Sequence, residues 1–243
     1  MKTDFSTYPT EDLLRMGREG DSIYEAQQCL FKRWRQGVDL QFLVDLLESE
    51  ITRERSLGAY FLGEADPHGL TDTVIKLAGD PLPECRRAFV GYMVQSNCYD
   101  EAIALGLAEC LQDLELYVRV AVIRWAVFTS DERFDDFSRL VESGAGGREF
   151  RFTRPAANDF WRESERKRAL RPLSIARRLR AEETVEDIRK DTPEEDNFVF
   201  DALQFSKHTF ERHVQRRKDQ RMSASSDGPD GTLSAGSSRV DDM

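Results

Sequence analysis

Histidine is almost missing from this sequence: 243 residues contain three, His68, His208 and His213. None lies beside a cysteine pair, and the five-residue step from His208 to His213 does not align them on a helix face. Cysteine is sparse too. Cys29, Cys85, Cys98 and Cys110 lie in apolar segments and none belongs to a C-x-x-C pair. They read as buried thiols, not as a disulfide framework or a zinc site. No metal and no cofactor is expected. Long apolar runs are also lacking. The most apolar stretch, Val118 to Phe128, is interrupted by Arg119 and Arg124 and falls short of the ~20 residues that a membrane span needs, so no membrane insertion is expected. The opening residues, Met1-Lys2-Thr3-Asp4-Phe5-Ser6, hold no apolar stretch of a secretory signal. A cytoplasmic location follows as the expectation.

Alternating strand patterns and Asn-Gly hairpin turns are missing. So are a G-x-S-x-G nucleophile turn, an H-E-x-x-H pair and a Walker loop; Gly144-Ala145-Gly146-Gly147 is followed by no Gly-Lys-Ser/Thr. No catalytic residue can be named, which favours a binding protein over an enzyme.

What the sequence does have is charge, unevenly spread. The net charge of −10 divides into −11 over residues 1–147, where 15 basic face 26 acidic side chains, and +7 over residues 148–180. It swings to −7 over 181–201, +4 over 202–221 and −3 over 222–243. Phosphate contacts dominate nucleic-acid affinity, so an acidic body disfavours it. A basic protein partner suits such a body better.

Helical periodicity fills the first 143 residues. Leu40, Leu43, Val44 and Leu47 fall at i, i+3, i+4 and i+7, one helix face. Turn residues separate predicted helices from about Glu11, at 22–36, 40–47, 52–63, 70–78, 83–95, 99–111 and 115–128, with another starting at Asp131. Arginines recur at a repeat-like interval: Arg55, Arg87 and Arg119 are 32 apart, and Arg53, Arg86 and Arg119 are 33 apart. A period in the thirties built of helix pairs marks an α-solenoid. Beyond the glycines, Phe150 and Phe152 suggest a short extended segment. Charged helices are predicted at 158–168 and from Leu173 to about Lys190, and Asp191-Thr192-Pro193 reads as a further helix start leading into Phe198, Phe200, Leu203, Phe205 and Phe210. From Met222 on, Ser, Gly and Asp dominate and the tail is expected to be disordered.

Three segments resemble the HEAT-repeat family. Leu77-Ala78-Gly79-Asp80-Pro81-Leu82-Pro83-Glu84-Cys85-Arg86-Arg87-Ala88 and Leu111-Gln112-Asp113-Leu114-Glu115-Leu116-Tyr117-Val118-Arg119-Val120-Ala121 look like its turn and second helix. Arg55-Ser56-Leu57-Gly58-Ala59-Tyr60-Phe61-Leu62-Gly63 looks like the end of that helix. The first pair, residues 8–36, matches poorly, as a terminal cap would. The resemblance covers about residues 8–143. It implies an all-α, HEAT-like α-α superhelix over residues 1–143, extended by a charged helical region at 144–221 and ending in the tail at 222–243. It also implies binding of a macromolecule through the second helices. A toxin-neutralising immunity protein is one role compatible with this size and charge. HEAT-like DNA glycosylases and HEAT-like phycobiliprotein lyases or chaperones are the alternatives on the same scaffold.

Candidate contact residues follow from chemistry. Asp100, Glu101, Asp131, Glu132, Asp135 and Asp136 begin helices, where carboxylates favour the dipole, and together could form a negative rim for a basic protein. Arg124 and Trp125 are residue types enriched at binding hot spots, although Trp125 equally suits a core position. Arg55, Arg87 and Arg119 are the candidate nucleic-acid contacts; their structural reading is pairing with the turn carboxylates Asp80 and Asp113. The basic stretch from Arg162 to Arg180 is expected to lie against the acidic helices of the same chain.

Overall fold

Apolar spacing of three and four residues, with Asp, Ser and Thr at the helix starts, gives this chain its elements. A computed structural model describes residues 4–18, 23–96, 98–143, 170–192 and 200, all within one compact unit. Among them every regular element is helical: α1 (Thr10–Arg18), α2 (Ile23–Arg35), α3 (Leu40–Leu47), α4 (Thr52–Ala65), α5 (Thr71–Val74), a 3₁₀ segment (Ile75–Gly79), α6 (Pro83–Ser96), α7 (Glu101–Leu111), α8 (Leu116–Phe128), α9 (Asp131–Ser143), α10 (170–180) and α11 (Val185–Lys190). A single 3₁₀ turn, Phe5–Thr7, precedes α1. The fold class is therefore all-α among the described residues. No described helix is long and apolar enough to cross a membrane.

Helices pack with their chain neighbours: α1 with α2, α3 with α4, the 3₁₀ segment with α6, and α7 with α8. The later member of each pair also packs on the next such helix, α2 on α4, α4 on α6 and α6 on α8. The core lies between, and Leu13, Trp34, Leu43, Phe61, Phe89, Leu107 and Val122 are fully inaccessible. Of the apolar residues that periodicity assigns to the core, Leu43, Leu47, Phe61, Leu62, Phe89, Val90, Leu107, Leu111, Val122 and Trp125 are buried. Ile75 is half-buried instead. The helix expected over 70–78 tightens to 3₁₀ after Val74, and its larger turn per residue brings Val74, Leu77 and Ala78 inward.

One bonding pattern occurs at three turns. Arg55 donates to the carbonyls of Ser49 and Glu50, Arg86 to those of Asp80 and Pro81, and Arg119 to those of Asp113 and Leu114. The acceptors lie six and five residues before each arginine. The first acceptor residue also caps the turn with its side chain: Ser49, Asp80 and Asp113 accept from the backbone N–H of Ile51, Leu82 and Glu115. Each aspartate further binds the arginine of the preceding turn. Arg55 Nε donates to Asp80 at 2.8 Å, and Arg86 donates through Nε and Nη2 to Asp113. The equivalent arginines are thus 55, 86 and 119, at intervals of 31 and 33. Arg87, which the even 32-residue spacing selects, lies outside the pattern.

The predicted single helix from Leu173 to Lys190 is two. Glu182 takes a left-handed conformation at φ 64°, and Thr184 caps α11 by accepting from Asp187 N–H. Buried Leu173, Ile175, Ala176 and Leu179 seat α10. Arg180 donates to the carbonyls of Ala126, Val127 and Thr129 at the end of α8 and pairs with Asp131. Arg177 pairs with Glu142 at 2.6 Å. Basic α10 therefore lies on the carbonyl end of α8 and on acidic α9. The glycine connector, the extended segment at Phe150, the helix at 158–168 and the segments beyond Thr192, tail included, lie outside the described residues save Phe200, which is buried.

Two mid-helix glycines differ in their surroundings. A Cβ on Gly58 would lie 3.1 Å from the Leu46 carbonyl carbon and from Leu47 Cδ2, whereas one on Gly91 would meet nothing within 4 Å. Gly58→Val should therefore cost about 1–3 kcal/mol by overpacking. Gly91→Ala should add about 0.5–1 kcal/mol from reduced backbone entropy. Urea unfolding of both variants checks the opposite signs.

Candidate functional site

Counting from the three equivalent arginines puts α4, α6 and α8 in one register. Six residues on, Phe61, Tyr92 and Trp125 all point into the core. The positions two before and one, five and eight after form a single helix stripe, because steps of three and four residues stay on one face. On α4 the stripe is Arg53, Ser56, Tyr60 and Gly63; on α6 it is Glu84, Arg87, Gly91 and Val94; on α8 it is Tyr117, Val120, Arg124 and Val127. Tyr60 is 49% exposed, Val94 43% and Tyr117 66%. Val120 and Val127 are buried, so on α8 the stripe opens to solvent at Tyr117 and, in part, at Arg124. Even spacing could not reveal this stripe, since the two intervals differ. The turn residues Ser49, Asp80 and Asp113 were the available signal.

The predicted arginines separate by role. Arg55 and Arg119 are held by the carbonyls and carboxylate already described, which leaves their guanidiniums little freedom for an outside phosphate. Arg87 is exposed on α6 and Arg124 is half-buried on α8. Neither makes an ion pair or hydrogen bond with any described residue. Burial pushes the Arg124 pKa down, and the Arg87 cation pushes it the same way, so the two charges lie within electrostatic reach of each other.

Trp125 is 3% exposed. Its ring stacks on Tyr99 at 5.8 Å and 17° and meets Phe137 edge-on at 5.1 Å. It is placed in the core, where no partner reaches it without opening the helices.

The predicted acidic rim has structural duties as well. Asp100 caps α7 by accepting from Ile103 N–H at 2.8 Å. Asp131 holds Arg180. Asp136 accepts from the Tyr99 hydroxyl at 2.9 Å and from Arg139, and burial together with that bond pushes the Tyr99 pKa up. Glu101, Glu132 and Asp135 are exposed.

All four cysteines are free; Cys85 and Cys110 are buried, Cys29 and Cys98 half-buried. Desolvation, reinforced by Asp80 and Glu84, pushes the Cys85 thiol up to about 12, which keeps it protonated and unreactive at neutral pH. Among the described residues no three His, Cys, Asp or Glu side chains are placed to hold a metal ion. The chain matches no protein-family model, no curated protein and no solved structure.

Proposed function

We propose that this chain is a non-enzymatic, HEAT-like repeat scaffold that grips a protein partner of net positive charge. The observation that carries the reading is the stripe that is exposed on α4 and α6 and at Tyr117 on α8. Tyr60, Val94 and Tyr117 leave apolar surface to solvent there beside Arg53, Arg87 and Arg124. Tyrosine and arginine are the residue types that dominate binding energy at interfaces. Three turns with the same arginine bonding support the helical-repeat reading, since a solenoid joins each unit only to its neighbours. The charge of residues 1–147 supports the basic partner: a negative body speeds encounter with a cation-rich protein, and salt weakens that steering. Neutralisation of a basic toxin fits these terms and rests on them alone.

The test uses carboxylates without a cap or an Arg180 bond to lose. Lysine replacement of Glu101, Glu132 and Asp135 together should slow association with the partner retained from native-host extract by about tenfold, with little change in dissociation. Stopped-flow mixing of the purified pair at low and physiological salt reads both rates. Tight binding of duplex or single-stranded nucleic acid at physiological salt, with no protein retained, would sink the proposal and favour the nucleic-acid alternative.

A further inference from the structure

Arg87 and Arg124 are the stripe's unusual feature. Guanidinium groups lose hydration when shielded and are normally matched by carboxylates or carbonyls. Here Arg55, Arg86 and Arg119 follow that rule, each satisfied by carbonyls and the first two by aspartates as well. Arg124, five residues past the carbonyl-bonded Arg119 on the same helix, is half-buried with no such match among the described residues. The charge that acts on it is another cation, Arg87.

The register explains how they meet. Arg124 on α8 and Gly91 on α6 are the same distance past their bonded arginines, and α6 packs directly on α8. Arg87 lies one helical turn before Gly91, on the same face of α6. The space above Gly91 is open to 4 Å. Across α6 the same row continues to Tyr60 on α4. In this register Arg87 and Arg124 thus flank the exposed Gly91, with exposed Glu84 one turn before Arg87 and half-exposed Tyr60 on the far side.

We propose that the exposed Gly91 surface between Arg87 and Arg124 is a binding site for a phosphomonoester dianion. Two guanidiniums supply two positive charges and planar forks of donors, which suit phosphate oxygens. A dianion balances both charges; a single carboxylate balances one. A polynucleotide is the poorer fit, because its phosphates would run from this pair onto a body whose net charge is strongly negative. The inference goes beyond the protein-binding reading and shares Arg87 and Arg124 with it; a free phosphorylated metabolite and a phosphorylated side chain carry the same group.

Inorganic phosphate is the first probe, added to the full chain against chloride at matched ionic strength. It should bind saturably, with one site by calorimetry, and raise Tm. Arg87→Gln and Arg124→Gln should each weaken binding at least about tenfold, and the double variant should keep only the general stabilisation that phosphate gives any protein. The ligand-free protein supplies an independent readout. Removing either unmatched cation relieves repulsion or desolvation, so the Tm of each single variant should equal or exceed that of the unaltered chain. An arginine serving the fold would do the reverse. A saturable phosphate response that survives in the double variant overturns the site, and so does a clear fall in ligand-free Tm in both single variants. Acetyl-phosphoserine amide and ribose 5-phosphate then compete for the site, and the tighter of the two assigns the source to a protein side chain or to a free metabolite.

Discussion

Asp113→Ala should remove about 3–5 kcal/mol of stability, the range for breaking one side of a buried ion pair. The Asp113 side chain is 1% exposed and that of Arg86 9%. Loss of the carboxylate leaves Arg86 with only the carbonyls of Asp80 and Pro81, and a buried cation that keeps its charge without a counter-ion is costly. The Glu115 N–H loses its acceptor in the same step. Asp80→Ala breaks the equivalent pair with Arg55, whose side chain is 16% exposed. Water reaches that guanidinium more readily, so the loss should be smaller. Urea melts of both variants test the order, and a double-mutant cycle with Arg86→Ala isolates the pair itself. Equal losses at the two sites would contradict the part given to burial.

Trp125→Ala is the other large effect, about 3–5 kcal/mol from lost burial and the cavity left between Tyr99 and Phe137. Thermal or urea unfolding reads it. The outcome also separates two roles. A core tryptophan takes stability with it, whereas a contact tryptophan lowers affinity and leaves Tm in place. A Tm within a degree or two of the unaltered chain would mean that the ring is not packed as described.

Most helices were legible from the sequence because their apolar spacing is local. Thr52–Ala65, Pro83–Ser96 and Leu116–Phe128 fall within a few residues of their predicted bounds. The break at Glu182 was not legible: a left-handed glutamate carries no glycine signature, and Leu179 and Ile188, on either side of it, are both apolar and both buried. The pairing of turn aspartates with arginines was anticipated as chemistry, but not which arginine. Arg86 and Arg87 are adjacent and identical in type, and only packing decides that the first turns inward to Asp113 while the second faces water. The candidate site at Arg87 and Arg124 was hidden for the same reason. Whether an arginine lacks a partner depends on everything around it in three dimensions, and no spacing in the chain encodes that.

The ownership of the turn bonds gives the fold a direction in time. Each cation belongs to an earlier turn and each carboxylate to the next: Arg55 waits for Asp80, and Arg86 for Asp113. A ribosome delivers the arginine first. Each arginine, in the first turn of its helix, is then held only by the carbonyls just before it, and its carboxylate follows 25 residues later for Arg55 and 27 for Arg86. The carboxylate, when it arrives, bonds the N–H of its own turn and clasps the waiting cation together. If the helices assemble in the order of synthesis, each aspartate would close one joint as it arrives, and assembly would advance by discrete steps.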